Sequence, residues 1–224
     1  MYTLFIANKN YSSWSLRPWL LMTTLNIPFA ENIALFGENN WSAFRKFSPS
    51  GKVPCLVTEH ITVWDSLAIT ELLAESYPQV WPMSIRARAW ARSAAAEMHS
   101  GFGTLREMCS MNCSIQVQLH QITEDLQKDI TRIDELWNEG LREFSGPYLA
   151  GSEFTAVDAF FAPVVLRIAS YGLQLSDAAM AYCELIQQLP TLQAWINAAQ
   201  REPRNDKYEA ACVQYGQLTH DVRG

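Results

Sequence analysis

The chain has 224 residues, of which 49% are hydrophobic and 18% charged, a composition typical of a globular protein. Its formal net charge is -6 and it carries no basic tract, which argues against nucleic acid or an anionic membrane as partner. No apolar run approaches the roughly 20 residues that cross a bilayer, and the N-terminus lacks the pattern of a signal peptide. We therefore expect a cytoplasmic protein.

The five cysteines are odd in number, scattered and without a C-x-x-C motif, as expected for a reducing compartment and for a protein without a zinc site. Cys109 and Cys113 stand one helical turn apart. This spacing suits a metal or redox pair, but two small residues on one helix face is the favoured interpretation. We predict no bound metal.

Strand and helix patterns alternate over residues 1–78, in the order β-α-β, a connecting segment, then β-β-α. Strands are expected at YTLFIA, at FAENIAL and in the two runs of CLVTEHITVW, which suit an antiparallel hairpin. Helices are expected at WSLRPWLLMTTLN and SLAITELLAESY. This order predicts a small α/β sandwich with one antiparallel edge.

The pattern changes after a linker at residues 79–84, and residues 85–224 are predicted to form an all-α domain without a convincing strand. The expected helices are RARAWARSAAAEMHSGFGTLREM, QLHQITEDLQKDITRIDELWNEGL, TAVDAFFAPVVLRIASYG, AAMAYCELIQQL and PTLQAWINAAQR. Thr155 and Asp158 fit a capping box at the start of the third of these helices. We interpret Asp158 as a structural cap and not as a catalytic acid.

Three short segments have residues suited to binding a thiol peptide. Tyr11-Ser12-Ser13 lies between the first strand and the first helix, where a helix N-terminus directs free N–H groups at a ligand. The alternative is plain helix capping, which serine also favours.

The second segment, Gly51-Lys52-Val53-Pro54, precedes a strand. A cis proline there would leave the backbone N–H and C=O of Val53 free to pair with an extended peptide, whereas the alternative is an ordinary edge-strand proline. In the third segment, Asp65-Ser66, the serine hydroxyl and helix N–H groups can take a carboxylate and Asp65 an ammonium, with a helix cap as the alternative.

Together these motifs resemble the cytosolic glutathione transferases over essentially the whole chain. SSWSLRPWLLM is similar to the serine motif and first helix of the zeta class, the maleylacetoacetate isomerases, and SPSGKVPCL to the loop and cis-proline strand of the family. WDSLAI resembles its glutamyl-binding turn and TAVDAFFAP its folding signature. Trp14 replaces the typical zeta cysteine and Lys52 a frequent glutamine, which suits a zeta-like bacterial group with a different substrate.

The resemblance implies a thioredoxin-like glutathione-binding domain at 1–78, a helical domain that lines the electrophile site, and a homodimer active in detoxification. Glutathione would be the co-substrate, bound by Lys52, Val53, Pro54, Asp65 and Ser66. Alignment on Arg17 places Ser12 at the reactive serine of the family. Ser13 is the alternative, while Ser15 is expected to face the helix.

The electrophile pocket is expected between the two halves, because ligand sites favour domain interfaces. Apolar walls are expected from Tyr11, Phe102, Met108, Cys109 and Met111. Arg106 would hold an acidic substrate or the glycyl carboxylate of glutathione, or else is a solvated surface residue.

The expected function is conjugation of glutathione to small electrophiles, with its thiolate stabilised by a serine hydroxyl. Two alternatives stay open. One is glutathione-dependent cis-trans isomerisation of the maleylacetoacetate type, which uses the same thiolate. The other is a non-catalytic ligand-binding homologue, because a fold does not determine an activity.

Overall fold

The computed structural model describes residues 1–224. The N-terminal half follows the predicted order, with one short helix in the connecting segment that the sequence did not indicate. Its elements are β1 (Tyr2–Ile6), α1 (Ser13–Thr24), β2 (Phe29–Ile33), α2 (Asn40–Phe44), β3 (Cys55–Val57), β4 (Thr62–Val63) and α3 (Ser66–Ser76).

The four strands form one sheet in the order β2-β1-β3-β4. β1 runs parallel to β2 and antiparallel to β3, so the predicted antiparallel edge is present. α1 is buried along most of its length, because it lies between this sheet and the second half of the chain. Its apolar character on several faces fits that position.

The second half is helical, and no helix in the chain combines the length and apolar character needed to cross a bilayer. After a 3-10 turn at Pro78–Val80, its elements are α4 (Ile85–Ser100), α5 (Gly103–Met108), β5 (Ile115–Leu119), α6 (Glu124–Glu143), α7 (Ala156–Tyr171), α8 (Asp177–Gln187), α9 (Pro190–Ala199), α10 (Asp206–Cys212) and β6 (Gly216–Asp221). The exact limits of the two domains stay a prediction.

The expectation that this half contains no strand is wrong, because β5 and β6 pair as an antiparallel two-stranded sheet. In β5, buried Ile115 and Val117 alternate with exposed glutamines, which is a strand period. The helix that the sequence predicts from Gln118 overlaps only the end of β5, and the strand has no other local mark, since its partner β6 is polar and lies at the other end of this half. That long-range pairing leaves no local signal.

The helix predicted from Arg86 to Met108 is interrupted. α4 ends at Ser100, and Phe102 adopts a left-handed conformation with φ 56° before α5 begins. A Cβ at Gly101 would lie 2.8 Å from the carbonyl oxygen of Glu97, so the close approach at this break requires glycine. The break turns α5 across the end of α4.

α7 is the central helix of the second half and is buried at every position but one. Its predicted capping box is confirmed, with the N–H of Thr155 donating to Oδ2 of Asp158 at 2.9 Å. The N–H of Leu149 and the hydroxyl of Tyr182 donate to Oδ1 of Asp158 at 3.0 and 3.1 Å. Burial raises the pKa of Asp158 to about 6.

Candidate active site

The three predicted binding segments emerge at one end of the N-terminal sheet. Phe5 of β1 pairs with Cys55 of β3, and Leu56 of β3 pairs with Val63 of β4. Because these pairs are antiparallel, the end of β1, the start of β3 and the end of β4 share one edge. Three segments therefore lie side by side at this edge: the serine loop (residues 7–12, between β1 and α1), Val53-Pro54 and Asp65-Ser66.

Ser12 caps the N-terminus of α1, and its Oγ accepts the N–H of Ser15 at 3.4 Å. Its hydroxyl donates to Oγ of Ser15 at 2.7 Å, and that oxygen also accepts the N–H of Ala7 at 3.1 Å. Ser15 is fully buried, as expected for a serine that faces its own helix. Ser12 therefore stands where the first free N–H groups of α1 converge.

Ser13 faces α7 across the boundary between the two halves. Its Oγ accepts from Nη2 of Arg167 at 3.4 Å. Arg167 is buried and also donates to the carbonyl oxygens of Cys109 and Pro163, at 2.7 and 3.2 Å. Burial lowers the pKa of Arg167 to about 10, so a positive charge lies next to Ser13 at neutral pH.

Trp14 lies among Arg17, Arg106 and His99, of which only Arg106 was expected at the site from the sequence. The guanidinium carbons of Arg17 and Arg106 lie 4.2 and 5.1 Å from the centre of its ring. The His99 ring meets the Trp14 ring edge-on at 5.2 Å. These distances are typical of cation–π contacts for the two arginines.

Arg17 is only 1% exposed, and its Nε and Nη1 have no hydrogen-bond partner. Burial lowers its pKa to about 9, and the neighbouring Arg106 and Arg167 act in the same direction. A buried arginine without a paired carboxylate is costly, and such groups are frequent at functional sites. The available signal was an arginine within the apolar SLRPWLLM segment, where a charged residue is unusual.

Asp65 caps α3, and its Oδ1 accepts the N–H of Leu67 at 2.9 Å. Its Oδ2 lies 3.1 Å from Nε2 of His99, which connects this cap to the Trp14 region. Ser66 is fully buried, and its hydroxyl has no partner. An unpaired hydroxyl at a helix N-terminus has the donor that a carboxylate requires.

The Val53-Pro54 bond is cis, as expected. The backbone N–H and C=O of Val53 form no hydrogen bond within the chain, and Lys52 beside it is exposed. Gly51 precedes them with φ 64°, and a Cβ there would lie 2.7 Å from Cδ1 of Trp41. This turn requires glycine at position 51 on both grounds.

The side chains expected to line the electrophile pocket have different surroundings. Arg106 is half-buried, and its Nε and Nη2 donate to the carbonyl oxygens of Gly101 and His99 at 3.1 and 3.2 Å. Burial lowers the pKa of Arg106, and Asp129 opposes that shift. Phe102 and Cys109 are buried, as are Met108 and Met111, and burial raises the pKa of Cys109 to about 12.

Tyr11 faces the C-terminal part of the chain. Its ring stacks on Tyr208 at 5.2 Å between centres. Its hydroxyl donates to Glu209 at 2.5 Å and accepts the N–H of Asn205 at 3.1 Å. Burial and then the bond to Glu209 raise the pKa of Tyr11. The structure thus groups Trp14, Arg106 and Asp65 through shared contacts, whereas Tyr11 contacts a different segment.

No group of three or more His, Cys, Asp or Glu side chains lies close enough together to hold a metal ion. The groups near the sheet edge are hydroxyls, unpaired backbone groups, guanidinium ions and the Asp65 carboxylate. These groups suit an anionic peptide.

Two protein-family models match the chain: Glutathione S-transferase, N-terminal domain, over residues 11–76, and Glutathione S-transferase, C-terminal domain, over residues 116–198. Glutathione S-transferase 1 of Dianthus caryophyllus is 26% identical over 182 residues, which are 78% of this chain and 80% of the relative. Maleylacetoacetate isomerase of Rattus norvegicus is 28% identical over 179 residues, 77% of this chain and 81% of the relative.

Among solved structures, Glutathione S-transferase unclassified 2 from Bombyx mori superposes with a TM-score of 0.71 at 18% identity, covering 96% of this chain and 98% of that one. A glutathione transferase homolog from Burkholderia gl BGR1, with bound glutathione, superposes with a TM-score of 0.66 at 20% identity, covering 90% and 99%. At this identity the likeness shows the fold alone.

The sheet, its shared edge and the helical half define a thioredoxin-like protein with an appended helical domain. The chain belongs to the glutathione S-transferase family. It is a glutathione transferase enzyme of zeta-like type, as its relatives among the maleylacetoacetate isomerases indicate.

Proposed function

We propose that the protein binds glutathione along Val53 and stabilises its thiolate with a serine hydroxyl for attack on a small electrophile. The observation that carries this proposal is the unpaired backbone N–H and C=O of Val53, at the sheet edge that also holds Ser12 and Ser66. An extended peptide pairs with such a backbone unit by strand addition. Ser66 would bind the glutamyl carboxylate and Asp65 the ammonium, and Lys52 would lie beside the other end of the bound peptide.

A free thiol titrates near 8.5, so most unbound glutathione is protonated at pH 7. Ser12 is the proposed donor to the sulfur, exchanging its hydrogen bond to Ser15 for one to the thiolate, with Ser13 as the alternative. A serine hydroxyl is far less acidic than a thiol and cannot act as the base, but it can donate a hydrogen bond to the thiolate. Such a bond contributes about 1.5–3 kcal/mol, or roughly one to two pKa units, and the N-terminus of α1 adds about 0.3–1 kcal/mol.

A second candidate function is glutathione-dependent cis-trans isomerisation of a diacid. It is favoured by the cationic side chains around Trp14, namely Arg17 and Arg106, because they suit an anionic substrate. Curated relatives of both kinds, transferases and maleylacetoacetate isomerases, fit either function. A non-catalytic ligand-binding role is the third candidate.

We further propose a cytoplasmic homodimer with a part in detoxification and with no nucleic-acid or membrane partner. The acidic balance of -6 supports the last point.

Glutathione binding tests the proposal directly. Calorimetry should give a Kd between micromolar and millimolar, and activity should appear with an aryl halide, an organic peroxide or maleylacetone. No heat of binding at about 10 mM glutathione, far above such a Kd, would contradict the proposed function. Binding without turnover of any of the three substrates would favour the ligand-binding role.

A further inference from the structure

The loop that carries Ser12 is held from the C-terminal part of the chain. The backbone N–H of Lys9 donates to Oε1 of Glu202 at 2.8 Å, and that of Asn10 donates to Oε2 at 3.1 Å. Both oxygens of one carboxylate therefore bind consecutive N–H groups of the loop between β1 and α1. An ionised acceptor makes such bonds stronger than a neutral one does.

Lys9 and Asn10 form the turn that leads to Ser12. The N–H groups of Tyr11 and Ser12 donate to the carbonyl oxygen of Asn8, at 3.3 and 2.9 Å, so the chain folds back over the two residues bound to Glu202. Fixing this turn fixes the point at which the chain enters α1. The contact therefore sets the position of the residue that caps this helix.

Glu202 is itself anchored to the end of α9. Its N–H donates to the carbonyl oxygen of Ala199 at 3.1 Å. Trp195, buried on the same helix, donates from Nε1 to the carbonyl oxygen of Lys9 at 2.9 Å. The side chain of Lys9 pairs with Glu31 at 2.9 Å, so Glu202 acts on the loop through the backbone alone.

We propose that Glu202 is a positioning residue that sets the serine loop for its hydrogen bond to the glutathione sulfur. The inference rests on the proposed function. A misplacement of about 1 Å in such a site costs on the order of a hundredfold in rate. The charge of Glu202 by itself would act in the opposite direction, because a nearby anion raises the pKa of a thiol. If Glu202 acts by position, its neutralisation raises the pKa of the bound thiol. If it acts by charge, its neutralisation lowers that pKa.

Two variants separate these effects. Glu202→Gln removes the charge and one acceptor, whereas Glu202→Asp keeps the charge but shortens the side chain. Both should raise the pKa of bound glutathione by about one unit, seen in a pH titration of thiolate absorbance, because the serine is displaced from the sulfur. We expect kcat/KM to fall about tenfold, mainly through kcat, with an unchanged Kd for glutathione. Glu184→Gln, exposed on α8, is the matched control and should change none of these quantities.

A thiol pKa that falls in Glu202→Gln and stays constant in Glu202→Asp would show that Glu202 acts by charge, and would overturn the inference. A thiol pKa and a kcat/KM equal to those of the wild type in both variants would also overturn the inference. Thermal melts show whether each variant folds. If Glu202→Gln does not fold, the result for Glu202→Asp decides by itself. A wild-type protein that binds no glutathione would overturn the proposed function and this inference with it, whereas normal wild-type binding with unaltered variants overturns the inference alone.

Discussion

Nε2 of His99 lies 3.1 Å from Oδ2 of Asp65, so a helix of the second half supplies a partner to the acid proposed to bind the glutathione ammonium. Burial lowers the pKa of His99, and the carboxylate of Asp65 opposes that shift. His99 is therefore mostly neutral at pH 7 and becomes charged as the pH falls. In its charged form it competes with the ammonium of glutathione for one carboxylate.

His99→Gln should remove this competition. We expect the Kd of wild-type protein for glutathione to rise as the pH falls below 7, because His99 gains its proton as the pH falls, and the Kd of the variant to stay level. Calorimetry at several pH values measures both. An equal rise in the two proteins would assign the pH dependence to another group.

Ser12→Ala should raise the pKa of bound glutathione by about one to two units and leave its Kd nearly unchanged, because the lost bond is made to the thiolate. Ser13→Ala is the matched control. Its hydroxyl accepts from Arg167 and keeps its own proton free, so Ser13 is the alternative donor, and we expect the smaller shift in this variant if Ser12 binds the sulfur. The reverse order of effects, measured by thiolate absorbance, would assign the sulfur to Ser13.

Arg106→Leu should lower kcat/KM about ten- to a hundredfold for an anionic electrophile and leave a matched neutral one unaffected. The reason is local, since a protein with net charge -6 repels an anion at long range and needs a nearby cation to capture it. Arg106→Lys, which keeps the charge, should restore part of the loss. Equal losses on both electrophiles would instead assign Arg106 to glutathione or to the fold around Gly101.

Sedimentation should show a particle of about twice 25.4 kDa. The family resemblance motivates this expectation, in which the α/β half of one subunit meets the helical half of the other. α4 begins at Ile85, next to the start predicted at Arg86, whereas the helix predicted from Gln118 begins only at Glu124, because residues 115–119 form β5. A monomer at micromolar concentration would refute the pairing.

Asp158→Asn should change how stability depends on pH. The raised pKa of Asp158, about 6, means that the burial of its ionised form reduces stability as the pH rises from 4 to 6. Asparagine lacks this titration, so the free energy of unfolding of wild type minus variant should decrease over that range. The variant should also be less stable throughout by about 1–3 kcal/mol, because its amide replaces one acceptor of the cap. Urea unfolding at pH 4, 5 and 6 measures the difference.

The sheet, most helices and the three segments at the sheet edge could be predicted because their signals are local. The short apolar run of β1, the helical spacing of Ile130 and Ile133 in α6 and the Thr155–Asp158 cap each involve residues close in sequence. The β5–β6 pair could not, since one strand is polar and its partner is far along the chain.

The cluster of side chains around Trp14 could not be predicted from the sequence, for a related reason. Arg17 lies on α1, His99 on α4 and Arg106 on α5, and they meet only after the two halves pack together. Likewise, the stacking of Tyr11 on Tyr208 joins residues far apart in the sequence, and the role of Tyr11 in a substrate wall stays a prediction. Adjacency along a chain does not determine which way neighbouring side chains point.

The hydrogen bonds between Glu202 and the serine loop constrain the order in which parts of the chain fold during synthesis. The carboxylate that binds Lys9 is synthesised 193 residues after it. Residues 1–76 contain all strands of the N-terminal sheet and can pair early, when the chain has left the ribosome only in part. We therefore expect the sheet to form before the loop that carries Ser12 is fixed, and the site to become competent for chemistry only after the segment that contains Glu202 has been synthesised.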